Sequence, residues 1–194
     1  MPYPWYDWLP AAHLTLEQGD IIQNCPIVRP PASLEPEGEY EFDVEEFDVV
    51  IMSQSCDLTH DGKITNVLVC PYYTFQQYAA EKARNSGSVL TAKAAIACYE
   101  ELRKGQQPNF HLLEQPGIPF QTEDYLVVDF RNVYAVHFLF LQQYIAALPP
   151  RPRLLAPYRE HLSQAFARFF MRVGLPQDLP RLTPEQAKAY ATGQ

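Results

Sequence analysis

The distribution of proline most constrains the fold of this chain. Eighteen prolines occur in 194 residues, and sixteen of them fall in clusters at 2–10, 26–36, 116–119, 149–157 and 176–184. Since proline lacks the backbone N–H that a helix interior or a central strand needs, each cluster marks a loop or linker. The chain contains no internal repeat and no Gly/Ser linker. We therefore expect one domain over residues 1–175. The sequence Thr-Pro-Glu-Gln at 183–186 provides an N-cap, a proline at the first helical position and a capping-box glutamine, which predicts a short tail helix within 176–194.

Six short stretches of the chain have the alternating or continuous apolar pattern of β-strands. They are residues 19–22, 40–44, 47–54, 66–73, 125–130 and 133–138. The last two flank Arg131 and Asn132, which predict a tight hairpin or a bend. Asp129 ends an apolar run, so its carboxylate needs a partner, and Arg131 is the nearest candidate for a structural ion pair.

Two regions have helical patterns. Residues 75–105 are rich in Ala, Lys, Glu and Gln and are interrupted at 85–87, which predicts two inserted helices. Residues 157–173 place apolar side chains at helical spacing on one face. We therefore expect an α+β fold in which the 157–173 helix buries three aromatic side chains, Phe166, Phe169 and Phe170.

The order of several fragments is informative. In sequence they are Gln-Gly-Asp-Ile-Ile (18–22), Val-Val-Ile-Met-Ser (49–53), Val-Leu-Val-Cys-Pro (67–71), Leu-Val-Val-Asp-Phe-Arg-Asn-Val (126–133) and Phe-Phe-Met-Arg-Val-Gly-Leu (169–175). This order resembles the PemK/MazF family across most of the chain, with residues 75–120 as an insertion. The resemblance implies a strongly bent SH3-like β-barrel, with an inserted helical segment at about 75–105 and a C-terminal amphipathic helix. The Ser-Gln-x-Cys-Asp-Leu signature at 53–58 is also similar to that of prokaryotic proteins without an assigned activity.

The best-known PemK/MazF proteins are toxins that cut single-stranded RNA without a metal, using an Arg before the second long strand and a Ser or Thr after it. Ser53 stands at the hydroxyl position, whereas Glu-Glu-Phe-Asp at 45–48 replaces the expected Arg-Pro. The resemblance implies a nucleic-acid-directed toxin- or defence-type protein and, if it is an enzyme, an endoribonuclease-like hydrolase. The alternative is a non-catalytic subunit that binds a protein partner.

Residues 56–60, directly after the 47–54 segment, carry a thiol, a carboxylate and an imidazole, which could act as nucleophile and base. The candidate catalytic residues are Ser53, Cys56, Asp57, His60 and, later in the chain, His111. In this hypothesis His111 is a general base that faces the Cys56 loop. This catalytic hypothesis involves no cofactor or metal. A zinc site formed by the same kinds of side chain is a weaker alternative. A structural role, with Cys56 packed and Asp57 capping the turn, also stays open.

Charge is unevenly distributed along the chain. The net charge is −8, and residues 35–48 carry eight acids and no base, whereas residues 151–194 carry seven bases and three acids. Nucleic-acid binding needs a basic surface, so the candidate contacts to RNA or to an acidic partner are Arg151, Arg153, Arg168 and Arg172. The aromatic candidates for contact with a base or a partner are Trp5 and Trp8. Both charged segments could also be ordinary solvated surface.

The remaining features concern location. No apolar run reaches the roughly 18 residues of a membrane span, and the first residues do not have the pattern of a signal peptide. Four cysteines without a CxxC pair suggest reduced thiols. We expect a soluble cytoplasmic protein whose partner is single-stranded RNA or another protein, without membrane contact. A homo-oligomer is left open.

Overall fold

The structure is a computed structural model that describes residues 3–33, 41–59, 63–117, 124–171 and 183–184. Within these residues the chain forms eight strands and five helices. The strands are β1 (Tyr6–Leu9), β2 (Ile21–Arg29), β3 (Asp43–Ile51), β4 (Asn66–Thr74), β5 (Phe110–Leu113), β6 (Leu126–Asp129), β7 (Tyr134–His137) and β8 (Arg151–Leu154). The helices are α1 (Ser55–Leu58), α2 (Phe75–Asn85), α3 (Ala92–Arg103), α4 (Phe138–Ala146) and α5 (Tyr158–Phe170). The mixed α+β class expected from the sequence is confirmed.

The larger sheet is built around β4. Its strand order is β2-β3-β4-β6-β5, every pairing is antiparallel, and β7 also pairs with β4. The first half of β4 lies beside β7 and its last three residues lie beside β6. A second sheet contains β1 and β8, which come from opposite ends of the described chain.

The segment between β6 and β7 forms a bend. The two strands pair one after the other with β4 rather than with each other, so the hairpin alternative was wrong. The buried Asp129 carboxylate accepts hydrogen bonds from the backbone N–H of Arg131 (2.9 Å) and from its guanidinium (2.8–2.9 Å). This is the predicted ion pair, and it holds the chain in the bend because both partners lie within it.

The sheet has an apolar core on each face. Alternate residues of a strand point to opposite faces, so Val49 and Ile51 pack in one core with α4, whereas Val50 packs in the other with Leu162 of α5. A smaller cluster joins α2 and α3 to Val127 of β6. These cores place α5 and the α2–α3 pair beside the β5 end of the sheet.

The two helices predicted within 75–105 are confirmed as α2 and α3. Thr74 caps α2 in a capping box, in which its side chain accepts from the Gln77 N–H (3.1 Å) and Gln77 accepts from the Thr74 N–H (2.8 Å). Thr91 caps α3 by accepting from the Ala94 N–H (3.2 Å). The pair connects β4 to β5.

Helix α5 is the amphipathic helix that the sequence predicted, but its apolar face is only partly buried. Leu162 is fully buried, and Phe166 and Phe169 are half-buried with ring centroids 5.4 and 6.2 Å from Phe130. Phe170 is 57% exposed, so the expectation that it is buried was wrong. Its ring packs edge-on against Phe166 and Phe169 at the rim of the core.

The tail helix predicted for 176–194 lies outside the described residues except at 183–184. Among the described residues, no helix combines the length and the apolar character needed to cross a bilayer.

Candidate functional site

The predicted catalytic loop is held by structural contacts. Ser53 Oγ accepts a hydrogen bond from the Leu68 N–H (2.8 Å), which ties the end of β3 to the start of β4. Asp57 forms an ion pair with Lys63. Cys56 is exposed in α1, with its Sγ 3.7 Å from Asp57 Oδ1 and 3.8 Å from Gln54 Oε1. His60 lies outside the described residues.

His111 does not face this loop. Its strand neighbour is Val128 of β6, which in turn pairs with Tyr72 near the end of β4. His111 lines a groove with residues of α3 and α5, and Ser53, Cys56 and Asp57 are not among the lining residues. The structure therefore does not place His111 in one pocket with the predicted loop.

Two of the predicted nucleic-acid contacts are buried. Arg151 and Arg153 are only 4% and 7% exposed, and both pair with the fully buried Asp20. Arg153 also binds Glu17 (2.6 Å), and the two guanidinium groups donate to the backbone oxygens of His13 and Thr15. These arginines hold β8 against the start of β2, so their assignment to a surface stripe was wrong. Asp20 in an apolar segment was the available sequence signal, because a buried carboxylate needs a cationic partner.

A groove runs between β5, the end of α3 and α5. Its volume is about 600 Å³, within the range of ligand sites. His111 and Glu114 approach it from β5 and the residue after it, Arg103 approaches from α3, and His161 and Arg168 approach from α5. We call this the β5–α5 groove.

His111 sits in an environment that keeps its imidazole neutral. Its ring lies beside that of Phe130, with centroids 6.3 Å apart. Burial, with a smaller contribution from His161, lowers the pKa of His111 to about 4. At neutral pH the ring therefore retains a lone pair that can accept a proton.

The α5 side of the groove is supplied by one helix face. His161, Ala165 and Arg168 occupy positions i, i+4 and i+7, and all three line the groove. His161 is exposed and its ring is 6.3 Å from that of Tyr158. Sequence reasoning did not identify His161, although its seven-residue spacing from Arg168 on an amphipathic helix was a usable signal.

The two groove arginines differ in their pairing. Arg103 donates two hydrogen bonds to Glu100 (2.8 and 2.9 Å), which partly neutralises its charge. Arg168 is exposed and makes no ion pair with a described residue. Arg168 is thus the cation of the groove best placed to meet an anion, whereas Arg172 lies outside the described residues.

Aromatic side chains form much of the remaining wall. Trp5, Tyr99 and Tyr125 line the groove, and the Trp5 ring stacks on Tyr158 with centroids 3.6 Å apart. Trp8 instead packs in β1 against the core beneath α5. Of the two predicted tryptophan contacts, the structure therefore places only Trp5 in the groove.

The zinc alternative receives no geometric support from the described residues. They contain no group of three or more His, Cys, Asp or Glu side chains arranged to hold a metal ion. Burial raises the pKa of Cys70, a buried cysteine of β4, to about 12, whereas zinc binds the thiolate.

Comparison of the chain with protein-family models, curated proteins and solved structures found no match.

Proposed function

We propose that this protein binds single-stranded RNA in the β5–α5 groove and cleaves it without a metal ion. The observation that carries the proposal is the convergence of His111, His161 and Arg168 on one groove with aromatic walls. Two imidazoles can provide a base and an acid, and an arginine can stabilise charge on a phosphate. RNA supplies its own nucleophile, the 2′-hydroxyl.

The proposed reaction assigns one proton transfer to each imidazole. Neutral His111 accepts the 2′-hydroxyl proton as O2′ bonds to phosphorus, and protonated His161 donates a proton to O5′ as the P–O5′ bond breaks. The products are a 2′,3′-cyclic phosphate and a 5′-hydroxyl. A bound phosphodiester would raise the pKa of His111 from about 4 towards neutrality, because a nearby negative charge favours the protonated ring.

Arg168 and the aromatic residues have the binding roles. The Arg168 guanidinium pairs with a phosphate and offsets the charge that develops on its oxygens. Trp5, Tyr99 and Tyr125 offer ring faces or edges to unstacked bases, and a stacked base contributes about 1–3 kcal/mol. This combination favours single strands, because the bases of a duplex are already stacked and paired.

The location of the acidic segment is compatible with this proposal. Residues 41–51 belong mainly to β3, which is separated from β5 by β4 and β6 in the sheet order. No residue from β2 or β3 lines the groove. The net negative charge of the chain therefore does not require an acidic groove.

We also propose that the fold is a divergent PemK/MazF-like SH3 barrel with a toxin- or defence-type role. The support is the order of β2, β3, β4 and the β6–β7 pair, followed by a C-terminal helix on the sheet. In this proposal the chemistry has moved from the Ser53 position to the groove, because function belongs to a site rather than to a fold.

The test is a cleavage assay with a fluorescent single-stranded RNA in the presence of EDTA. Wild-type protein should release fragments with 2′,3′-cyclic phosphate ends, and His111→Gln and His161→Gln should each slow the reaction by about 10²-fold or more. His137→Gln is the matched control, because His137 is exposed on β7 and does not line the groove. Absence of cleavage together with absence of RNA binding at low salt would refute the proposal.

A second candidate function is the binding of a protein partner without catalysis. It is favoured by the exposure of Val28, Phe42 and Val44, which are 58–63% accessible on β2 and at the start of β3.

A further inference from the structure

The distal part of the β2–β3 pair extends beyond its neighbours. Strand β4 pairs with β3 only at Val49–Ile51, whereas the β2–β3 pairing continues from Cys25↔Phe47 to Arg29↔Asp43. Residues 25–29 and 43–47 therefore form a two-stranded segment which, with the preceding Phe42, we call the β-arm. Among the described strands, only β2 pairs with β3 in this part.

One face of the β-arm is anchored to the protein. Ile27 is 4% exposed and belongs to the core shared with α4. On the paired strand Glu45 forms an ion pair with Arg29 (2.8 Å). The ion pair links the two strands of the arm, and the burial of Ile27 fixes which side of the arm faces outwards.

The opposite face is apolar and open. Val28 and Val44 are direct cross-strand neighbours and are 62% and 63% exposed. Phe42 lies two residues before Val44, hence on the same face of the extended chain, and is 58% exposed. Three large apolar side chains side by side form a patch of the kind found at docking surfaces.

The surroundings of this patch are acidic. Residues 41–48 contain five acids and no base. Glu41, Asp43 and Glu46 are exposed, and Arg29 accounts for the one ion pair that the described residues make with this segment. A complementary partner would therefore present apolar side chains together with lysine or arginine.

From this arrangement we infer that the β-arm docks an extended segment of another protein in which apolar residues alternate with basic residues. A strand-like segment matches the arm because its side chains alternate with a period of two. Paired along an edge of the β-arm, the segment places its apolar side chains on the face of Val28, Val44 and Phe42 and its basic side chains on the opposite face, beside Asp43 and Glu45.

Other occupants fit the charges less well. A second copy of the β-arm would place acids against acids, and RNA or an anionic membrane would meet the same repulsion. The part of this chain beyond residue 171 carries three basic and two acidic residues in 23 positions, without the alternation.

The probe is a fluorescein-labelled peptide of four Lys-Val repeats, titrated against the full chain and followed by fluorescence anisotropy. Two reference peptides are a Glu-Val repeat and a peptide of the same composition with its lysines and valines in separate blocks. The alternating peptide should bind more tightly than both. Equal affinity for the alternating and block peptides would show attraction by charge alone and would overturn the inference.

Variants locate the binding. The double variant Val28→Thr, Val44→Thr should weaken binding roughly tenfold with little effect on folding, because both side chains are exposed. Asp43→Asn with Glu46→Gln should weaken it and reduce its dependence on salt. Val89→Thr is the control, since Val89 is 85% exposed between α2 and α3, and should leave affinity unchanged. Unchanged affinity in the double valine variant would overturn the inference.

A labelling experiment tests whether the face is open. In a Cys56→Ser background, Val44→Cys should react with a maleimide as fast as Val89→Cys, and the alternating peptide should protect only the former. Slow reaction of Val44→Cys in the absence of peptide would mean that the chain or a second copy already covers the face, which contradicts the inference.

Discussion

His111 shows how the sheet changes the chemistry of a single residue. Strand β5 places its imidazole beside Phe130 under α5, and burial lowers its pKa to about 4. The unfolded chain restores the ordinary histidine pKa of about 6.5. The unfolded state therefore binds a proton that the native state resists, and stability must fall as pH drops from about 6.5 to 4.

This pKa difference predicts that part of the pH dependence of the unfolding free energy comes from His111 alone. Between pH 7 and pH 4 the wild type should lose on the order of 2–3 kcal/mol more unfolding free energy than His111→Gln. Urea denaturation of both proteins at the two pH values measures the difference, in which the other titrating groups largely cancel. Parallel losses in the two proteins would show that His111 is not held neutral.

At the scale of elements, α5 supports both the core and the groove. Its buried face includes Leu162, which is fully enclosed, whereas His161 and Arg168 line the groove on an adjacent face. The helix can present these polar residues in a fixed position because its apolar side is packed. Stability and site geometry are therefore coupled through this element.

Two substitutions on α5 should separate core from rim. Leu162→Ala should cost about 2–5 kcal/mol, because a fully buried leucine leaves a cavity. Phe170→Ala should cost less than about 1 kcal/mol, because the ring is 57% exposed. Chemical denaturation measures both. Equal costs would mean that the rim position of Phe170 is wrong.

The elements also show what the sequence could predict. Strands β4, β6 and β7, the start of β2 and most of β3 were identifiable because apolar alternation or continuous apolar runs mark burial locally. The expectation that every proline cluster is a loop was wrong, since Pro26 lies in β2 and Pro152 in β8, and the two strands expected at 40–44 and 47–54 are the single strand β3. Helix α4 was missed, since Phe138–Ala146 is apolar without a clear period, and part of it was assigned to a strand. The pairing of β1 with β8 was also missed, because it joins residues about 145 positions apart and has no local signal.

The same distinction applies to the site. His111, Arg168 and Trp5 were selected by residue type, and the structure places all three in one groove. Arg151 and Arg153 looked identical to Arg168 in sequence, yet they are buried against Asp20. Residue type indicates which side chains can perform chemistry. Only the long-range pairing of strands and helices decides which of them come together in a site and which are buried in structural ion pairs.

Charge is divided between different elements of the molecule. The acidic β-arm lies on β2 and β3, at one end of the sheet order, and β5, which lines the β5–α5 groove, lies at the other. No residue of the β-arm lines the groove, whereas Arg168 does. The acidic segment and the cation proposed to meet RNA therefore belong to different elements of the fold.

This separation predicts the salt dependence of RNA binding. Affinity for a single-stranded RNA should fall steeply with salt, because each phosphate neutralised by the protein releases counterions, with a log–log slope of about −0.7 per contact. Arg168→Ala should therefore reduce the magnitude of the slope by about 0.7. Arg29→Ala is the matched control, since Arg29 is an exposed arginine on the β-arm, paired with Glu45. Its removal should leave the slope unchanged.

Anisotropy titrations of labelled RNA between low and moderate salt measure the slopes of the wild type, Arg168→Ala and Arg29→Ala. If Arg29→Ala lowers the slope as much as Arg168→Ala, RNA is held by diffuse charge rather than in the groove.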